Sequence, residues 1–265
     1  MFDLNAYLLG GYALLLSACL IWLLSVIKKD VSIVDSFWAV MFVVVFVVYF
    51  INVSEMGSRG LVAGVLLLAW ATRLSGYITW RNWGEGEDRR YQDIRRKYSP
   101  HFWLKSLFII FIFQGILAWI VSMPLIAIIT GSTAITSLDH IAILVIGFGI
   151  IYESIADWQL HKFKSQPSNH GKVMDKGVWR FSRHPNYFGE FCVWWGFYLM
   201  AVASGGWWSI ISPLVMSFLL MRFSGVALLE SDIVTRRPKY AEYIRSTNAF
   251  FPGLRRQAFT KGESI

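Results

Sequence analysis

From Tyr7 to Ile27 the chain carries no charged residue, and the run stops abruptly at Lys28-Lys29-Asp30. A helix needs about 20 mostly apolar residues to cross roughly 30 Å of hydrocarbon, and runs of that kind recur along the sequence. Ile33 to Ile51 follows after a very short turn, then Leu61 to Trp80, Phe102 to Ile129, Leu138 to about Trp158, about Tyr187 to Ala203, and Trp207 to Leu229. The fourth run is too long for a perpendicular span, so it is expected to tilt, to bend near Pro124, or to begin as an interfacial segment around His101 to Lys105. The last two runs are separated only by Ser204-Gly205-Gly206 and read as a tight helical hairpin. The expectation is an all-α, polytopic integral membrane protein with seven transmembrane helices in a single domain, residues 1–265.

Composition excludes a soluble reading: 55% of residues are hydrophobic and 16% charged, against roughly 25% charged in an average globular chain. Lys and Arg collect on the cytoplasmic side of short membrane loops, and here they alternate with the runs. Lys28 and Lys29 follow the first run. Arg81, Arg89, Arg90, Arg95, Arg96, Lys97 and Lys105 lie between the third and fourth, and Lys162, Lys164, Lys172, Lys176, Arg180 and Arg183 follow the fifth. Arg236, Arg237, Lys239, Arg245, Arg255, Arg256 and Lys261 follow the seventh, whereas the alternate connections hold only Arg59. This pattern places the amino terminus outside and the carboxyl terminus in the cytoplasm. No cleavable signal peptide is expected, since no basic residue precedes the first run and no small-residue cleavage pattern follows it. The membrane would be the inner membrane in a bacterium or the endoplasmic reticulum in a eukaryote. The net charge of +8, on a chain this apolar, points to lipid head groups or a phosphorylated cofactor, not nucleic acid. Cys19 and Cys192 form neither a disulfide framework nor a metal-ligand spacing.

Ionisable residues inside apolar runs cost several kcal/mol unless they pair or line a wet cavity. They are Asp35, Arg73, Glu153, Asp157, Glu190, Arg222 and Glu230. The plain reading is ion pairs between helices, Arg73 with Asp35 for example; the functional one is a shared cavity opening to the cytosol. Glu153 and Asp157, at i and i+4, put two carboxylates on one helix face, a face that needs donors such as ribose hydroxyls, an amide, or Arg and Lys. A metal is not expected, because no His stands at ligand spacing inside that run. In the loop Asn82 to Tyr91, Arg81, Arg89 and Arg90 are either solvated charges or guanidinium forks for phosphate. Between Lys176 and Gly196, Pro185 at a helix start with Arg183 and His184 just ahead of it makes an anion site from free N–H groups, dipole and side chains. Gly189 and Gly196 allow close packing there. An interfacial belt of Arg and Trp is the alternative.

The stretch Gly177 to Gly196, with Arg183-His184-Pro185-Asn186-Tyr187 and Gly189-Glu190, resembles the carboxyl-terminal signature of the membrane steroid 5α-reductase family and related sterol reductases. Asp35-Ser36-Phe37-Trp38, Trp70-Ala71-Thr72-Arg73-Leu74 and Gly86-Glu87-Asp88-Arg89-Arg90-Tyr91 resemble its bacterial-type, DUF1295-like branch. So does the tail Leu229-Glu230 through Tyr240, Tyr243, Phe250, Phe251 and Pro252. The resemblance implies an oxidoreductase acting on CH–CH groups that binds NADPH from the cytosol. The cofactor part would span about 138–257, and hydride would pass to the C=C bond of an apolar conjugated ketone, 3-oxo-Δ4 steroid-like or another lipid enone.

By the same resemblance Glu153 and Asp157 face the cofactor, Asn186 and Glu190 stand near its nicotinamide, and Arg183 and Lys164 meet phosphates. Arg73, Arg81, Asp88, Arg89, Tyr91, His184, Tyr187 and Glu230 complete the cofactor-binding set, with no metal. Asp35 falls where an acidic residue helps polarise the substrate carbonyl. Its tyrosine partner on the third span stands here as Trp70 or is replaced by Tyr77 one to two turns later. Hydride addition to a conjugated ketone builds charge on the carbonyl oxygen, which a protonated acid or phenol stabilises. The implied partners are a hydrophobic small molecule entering from the bilayer and lipid, with no obligatory protein partner. The Arg-His-Pro-x-Tyr element also occurs in isoprenylcysteine and phospholipid methyltransferases, so an S-adenosylmethionine-dependent membrane methyltransferase is the alternative. Glu190 after Gly189, Asp157 and the Gly-Glu-Asp loop favour the reductase.

Overall fold

A computed structural model describes residues 2–53, 57–131, 133–223 and 237–256. Among the described residues every regular element is helical and there is no strand. The helices are α1 (Leu4–Lys28), α2 (Ile33–Ile51), α3 (Ser58–Asn82), α4 (Arg89–Lys97), α5 (Phe102–Thr130), α6 (Ser137–Lys164), α7 (Pro185–Ala203), α8 (Trp207–Arg222) and α9 (Tyr240–Ser246). Five of them, α1, α2, α3, α5 and α6, are long and apolar enough to cross a membrane, and α8 is a shorter apolar helix. These are the helices of a multi-pass membrane protein. Residues 224–229 of the last apolar run, and Glu230, lie outside the described residues. The chain divides into two compact units, Met1–Ile143 with Phe197–Ser212, and Leu144–Gly196 with Pro213–Ile265.

In the first unit, α2 packs between α1 and α3. The Asp3 side chain caps α1, accepting from the Ala6 N–H at 2.9 Å, and Lys29, in the left-handed region at φ 55°, closes it. Asp30 then accepts from the Ser32 N–H at 2.8 Å and so turns the chain into α2. The α1/α2 contact is close enough to require glycine: a Cβ on Gly10 would lie 2.5 Å from the Tyr49 ring. The fully buried Tyr49 shares a hydrogen bond of 2.8 Å with Ser122 Oγ; left alone, such a hydroxyl costs about 1–3 kcal/mol. Between α2 and α3, Trp70 is wholly buried with its ring edge-on to Phe42 at 5.6 Å.

The long α5 is irregular, as its length leads one to expect, at two places. Leu107–Ile112 forms a π turn, and the helix breaks at Ser122, two residues ahead of Pro124. Proline lacks an N–H and its ring crowds the carbonyl four residues back. The chain absorbs this by turning at Ser122, whose Oγ donates to the Trp119 carbonyl at 2.7 Å.

Two charged clasps fasten this unit. Arg59 and Asp139, 2% and 1% exposed, form a bidentate pair with Nε to Oδ1 at 2.7 Å and Nη2 to Oδ2 at 2.9 Å. The other guanidinium donors go to the Thr133 carbonyl and hydroxyl and the Ala134 carbonyl, and Asp139 also accepts from the Thr136 N–H. At the other clasp, Arg95 grips Glu87 through Nε at 2.8 Å and Nη2 at 2.6 Å, while Glu87 Oε1 accepts from the Val31 N–H at 3.0 Å. The α3–α4 loop is thereby fastened to the α1–α2 turn. Burial alone would raise the Glu87 carboxyl, but the Arg95 and Val31 hydrogen bonds outweigh it and hold the group below its ordinary range.

Breaking a buried pair leaves one charge uncompensated, so Arg59→Ala should destabilise the protein by about 3–5 kcal/mol. The double replacement Arg59→Met with Asp139→Leu should cost clearly less, and thermal unfolding in detergent compares them. The depressed Glu87 carboxyl contributes stability above its unfolded pKa and loses it as pH falls through the lower folded value. Hydrogen-exchange protection of α4, corrected for intrinsic rates, should therefore drop as pH falls through and below the ordinary carboxylate range. Glu87→Gln should lower protection already at neutral pH and reduce that pH dependence, the remainder belonging to the Asp88 cap, whose carboxyl is also held below its ordinary range.

Candidate functional sites

Asp35 stands in the first turn of α2, and both of its oxygens are acceptors. Oδ1 receives the Tyr91 phenol at 2.6 Å and Oδ2 receives Arg90 Nη2 at 2.8 Å. Asp88, which caps α4 through the Arg90 N–H at 2.9 Å, also accepts from Arg90 Nε at 3.0 Å. From α5, Gln114 Nε2 reaches the Tyr91 hydroxyl at 3.4 Å. Burial, and then the Asp35 carboxylate, push the Tyr91 phenol well above its ordinary value, so it remains a neutral donor. Burial alone would lower Arg90, but Asp35 and Asp88 raise it overall. The phenol that meets Asp35 comes from α4: Asp35 accepts, and Tyr91 and Arg90 donate. Trp70 belongs to the α2/α3 core, and Tyr77 lies between Arg73 and Arg81, whose guanidinium carbons are each 5.7 Å from its ring centroid. Arg81 Nε also donates to Asn82 Oδ1 at 3.1 Å. Arg89 and Asp88 line an open recess of about 420 Å³ together with Asn82, Glu85, Gly86, Glu87 and Gln92.

The second unit has a different polar group, assembled where α6 crosses α7. A Cβ on Gly149 would lie 2.6 Å from the Gly189 carbonyl, and one on Gly189 would lie 2.7 Å from both the Gly149 carbonyl and Glu153 Cβ. Only glycines at both positions let the backbones touch. This contact sets Glu153 and Asp157 of α6 beside the first turns of α7. All three acids, Glu153, Asp157 and Glu190, are buried. Asn186 Nδ2 donates to Asp157 Oδ1 at 3.3 Å, and the Trp194 indole N–H donates to Glu190 Oε1 at 3.2 Å. Three acids and an amide from two helices offer mostly acceptors, the complement of hydroxyl and amide donors.

The entry to α7 is held by the tail. Arg183 is buried, and its Nη1 donates to the Thr247 carbonyl at 2.5 Å and the Ile244 carbonyl at 3.1 Å, just where α9 ends. A cation there meets the unsatisfied carbonyls and negative pole of a helix end. Its backbone N–H donates to the Asn248 carbonyl at 2.9 Å. Ser182 Oγ donates to the Phe250 carbonyl at 2.8 Å, and the Tyr243 phenol donates to the carbonyls of Trp179 and Ser182. The buried His184 stacks parallel on Tyr187 at 5.6 Å, and Lys164 is exposed at the end of α6. The structure therefore groups Glu153, Asp157, Asn186 and Glu190, whereas Arg183 Nη1 faces the tail's carbonyls. Sequence reasoning missed the pairing of Arg90 with Asp35, and it missed Gln114 and Trp194 altogether. Gln114, the one carboxamide in the run Phe102 to Ile129, was a usable signal; the other two pairings had none.

No solved structure matches the chain. An uncharacterized protein of the fission yeast Schizosaccharomyces pombe is 27% identical over an alignment spanning 96% of this chain and 81% of that protein. The family described as "Protein of unknown function (DUF1295)" matches residues 21–247, and the chain belongs to that family.

Proposed function

We propose that the protein is a membrane-embedded, NADPH-dependent reductase of the steroid 5α-reductase superfamily, acting on the C=C bond of an apolar conjugated ketone. The observation that carries this reading is the set of three buried acids, Glu153, Asp157 and Glu190, with the half-buried Asn186, at the glycine crossing of α6 and α7. Buried acids are costly in a membrane bundle, and a cluster of them is a receptor for donors, such as ribose hydroxyls and a carboxamide NH2. The acceptor chemistry of this set therefore fits the hydroxyls and carboxamide NH2 of the nicotinamide riboside half of the cofactor. Within this unit Lys164 is the candidate phosphate ligand, and Arg183 positions the start of α7. NADPH, when bound, would supply the hydride; the chain's task is to orient the reacting partners and stabilise charge on the ketone oxygen. The substrate is an apolar enone entering from lipid.

The same proposal includes seven spans, with α7 and α8 added to the five longest helices, the amino terminus outside and the carboxyl terminus in the cytoplasm. The alternation of Lys and Arg supports it. A cysteine replacing the exposed Ile135 should react with an impermeant reagent from outside, and one replacing the exposed Ser168 should not; the reverse pattern refutes the orientation.

Isosteric replacements separate binding from folding. Asp157→Asn and Glu190→Gln should each weaken NADPH binding by about 1.5–3 kcal/mol, roughly ten- to a hundredfold, as loss of a hydrogen bond to a charged group does. The thermal midpoint should stay near that of the wild type. Titration of all three proteins with NADPH, NADH and S-adenosylmethionine is the test. Tight S-adenosylmethionine binding without NADPH binding would replace the reductase with a methyltransferase.

A further inference from the structure

Four lysines belong to neither polar site. Lys28 and Lys29 close α1, Lys97 ends α4, and Lys105 stands in the first turn of α5. All four are exposed, and none meets a carboxylate at ion-pair distance among the described residues. Their arginine neighbours differ: Arg90 pairs with Asp35 and Asp88, Arg95 with Glu87, and Arg96 with Asp93. The lysines therefore carry positive charge that no carboxylate at ion-pair distance offsets among the described residues.

The fold gathers them at one corner. The Trp22 indole N–H donates to the Trp103 carbonyl at 2.7 Å, with the two rings 6.2 Å apart and 22° from parallel. This holds the end of α1 against the start of α5. Arg95 Nη2 reaches the Lys29 carbonyl at 3.5 Å, Lys105 Nζ donates to the Tyr98 carbonyl at 3.0 Å, and Lys97 Nζ lies 5.4 Å from the Tyr98 ring centroid. Trp103 is 52% exposed, and exposed apolar side chains continue along both helices, Leu20, Leu23 and Ile27 on α1 and Leu104 and Phe108 on α5. Cations and indole rings grouped at one end of two helices, with bare aliphatic surface continuing along them, is the chemistry that suits phosphate and interface at one end and acyl chains beyond. Arg59, in the first turn of α3, is by contrast buried and consumed by Asp139.

We propose that this corner binds the head group of an anionic phospholipid, its phosphodiester among Lys28, Lys29, Lys97 and Lys105 and its chains along the exposed faces of α1 and α5. A free phosphate would use the same ammonium groups but gain nothing from the apolar surface beside them. Lysines suit the role because an ammonium is a point charge on a flexible stem, indifferent to the exact orientation of the phosphodiester.

The test is native mass spectrometry of the full chain released from nanodiscs of mixed phosphatidylglycerol and phosphatidylcholine. Phosphatidylglycerol should be retained in preference to phosphatidylcholine. The triple variant Lys28→Gln, Lys29→Gln, Lys105→Gln should lose that preference by about fivefold per lysine removed, while the matching Lys→Arg triple keeps it. Millimolar inorganic phosphate should leave the bound lipid in place. Equal retention of the two lipids by the wild type, an unchanged preference in the Gln triple, or displacement by inorganic phosphate would each overturn the proposal. None of these lysines is among the residues assigned to NADPH or substrate, so the outcome is independent of the reductase reading.

Discussion

Hydrocarbon offers no hydrogen-bond partner, and every feature of this fold answers to that shortage. Backbone groups are satisfied within helices, and the break in α5 is repaired locally. At Ser122 the hydroxyl takes the Trp119 carbonyl while itself pairing with Tyr49. Charges are treated with the same economy. Arg59 spends its donors on Asp139, Thr133 and Ala134, so a group that would be costly alone becomes a clasp between segments about eighty residues apart. Such a pair is weak evidence for net stability against an apolar substitute, but it fixes which residues meet, which an all-apolar contact would leave to packing alone.

The glycine crossing of α6 and α7 plays the corresponding part in the second unit. Because Gly149 and Gly189 bring the backbones into contact, side chains flanking the crossing are forced into one small volume, and the flanking residues are acids and an amide. Their placement then depends on where α7 begins, which the tail controls: Arg183, Ser182 and Tyr243 tie the approach to α7 onto carbonyls of residues 244–250 and 179–182. A substitution in the tail can thus disturb the acid cluster without touching it.

Much of this was legible in the sequence where the signal is local. Ile33 to Ile51 coincides with α2 because charge and polar residues mark both of its ends, and the facing of Glu153 and Asp157 follows from helical spacing. The excess length of Phe102 to Ile129 announced irregularity, and Pro124 located one break to within two residues; the π turn at Leu107–Ile112 falls in an unbroken apolar stretch with nothing to mark it. Long-range pairing was not legible. Asp35 had Arg73 as a conceivable partner by type, yet Arg90 and Tyr91 hold it, because the Asp88 cap and the Glu87 clasp swing α4 over the start of α2. The Arg59 exception to the charge alternation was visible, but its partner was not.

A net charge of +8 counts cations without saying which are available. Arg59, Arg90, Arg95 and Arg96 each hold a carboxylate, and Arg183 serves carbonyls at a helix end. Arginine suits these posts because its planar fork matches two acceptors at once and resists deprotonation on burial. The four lysines of the α1, α4 and α5 corner, whose single ammonium gains little from such geometry, stay at the surface. The same basic segments therefore do two kinds of work, internal fastening by arginine and outward attraction by lysine. A Lys→Arg exchange should preserve attraction to an anionic surface, whereas Arg→Lys at a clasp, although equally conservative in charge, should loosen the fold.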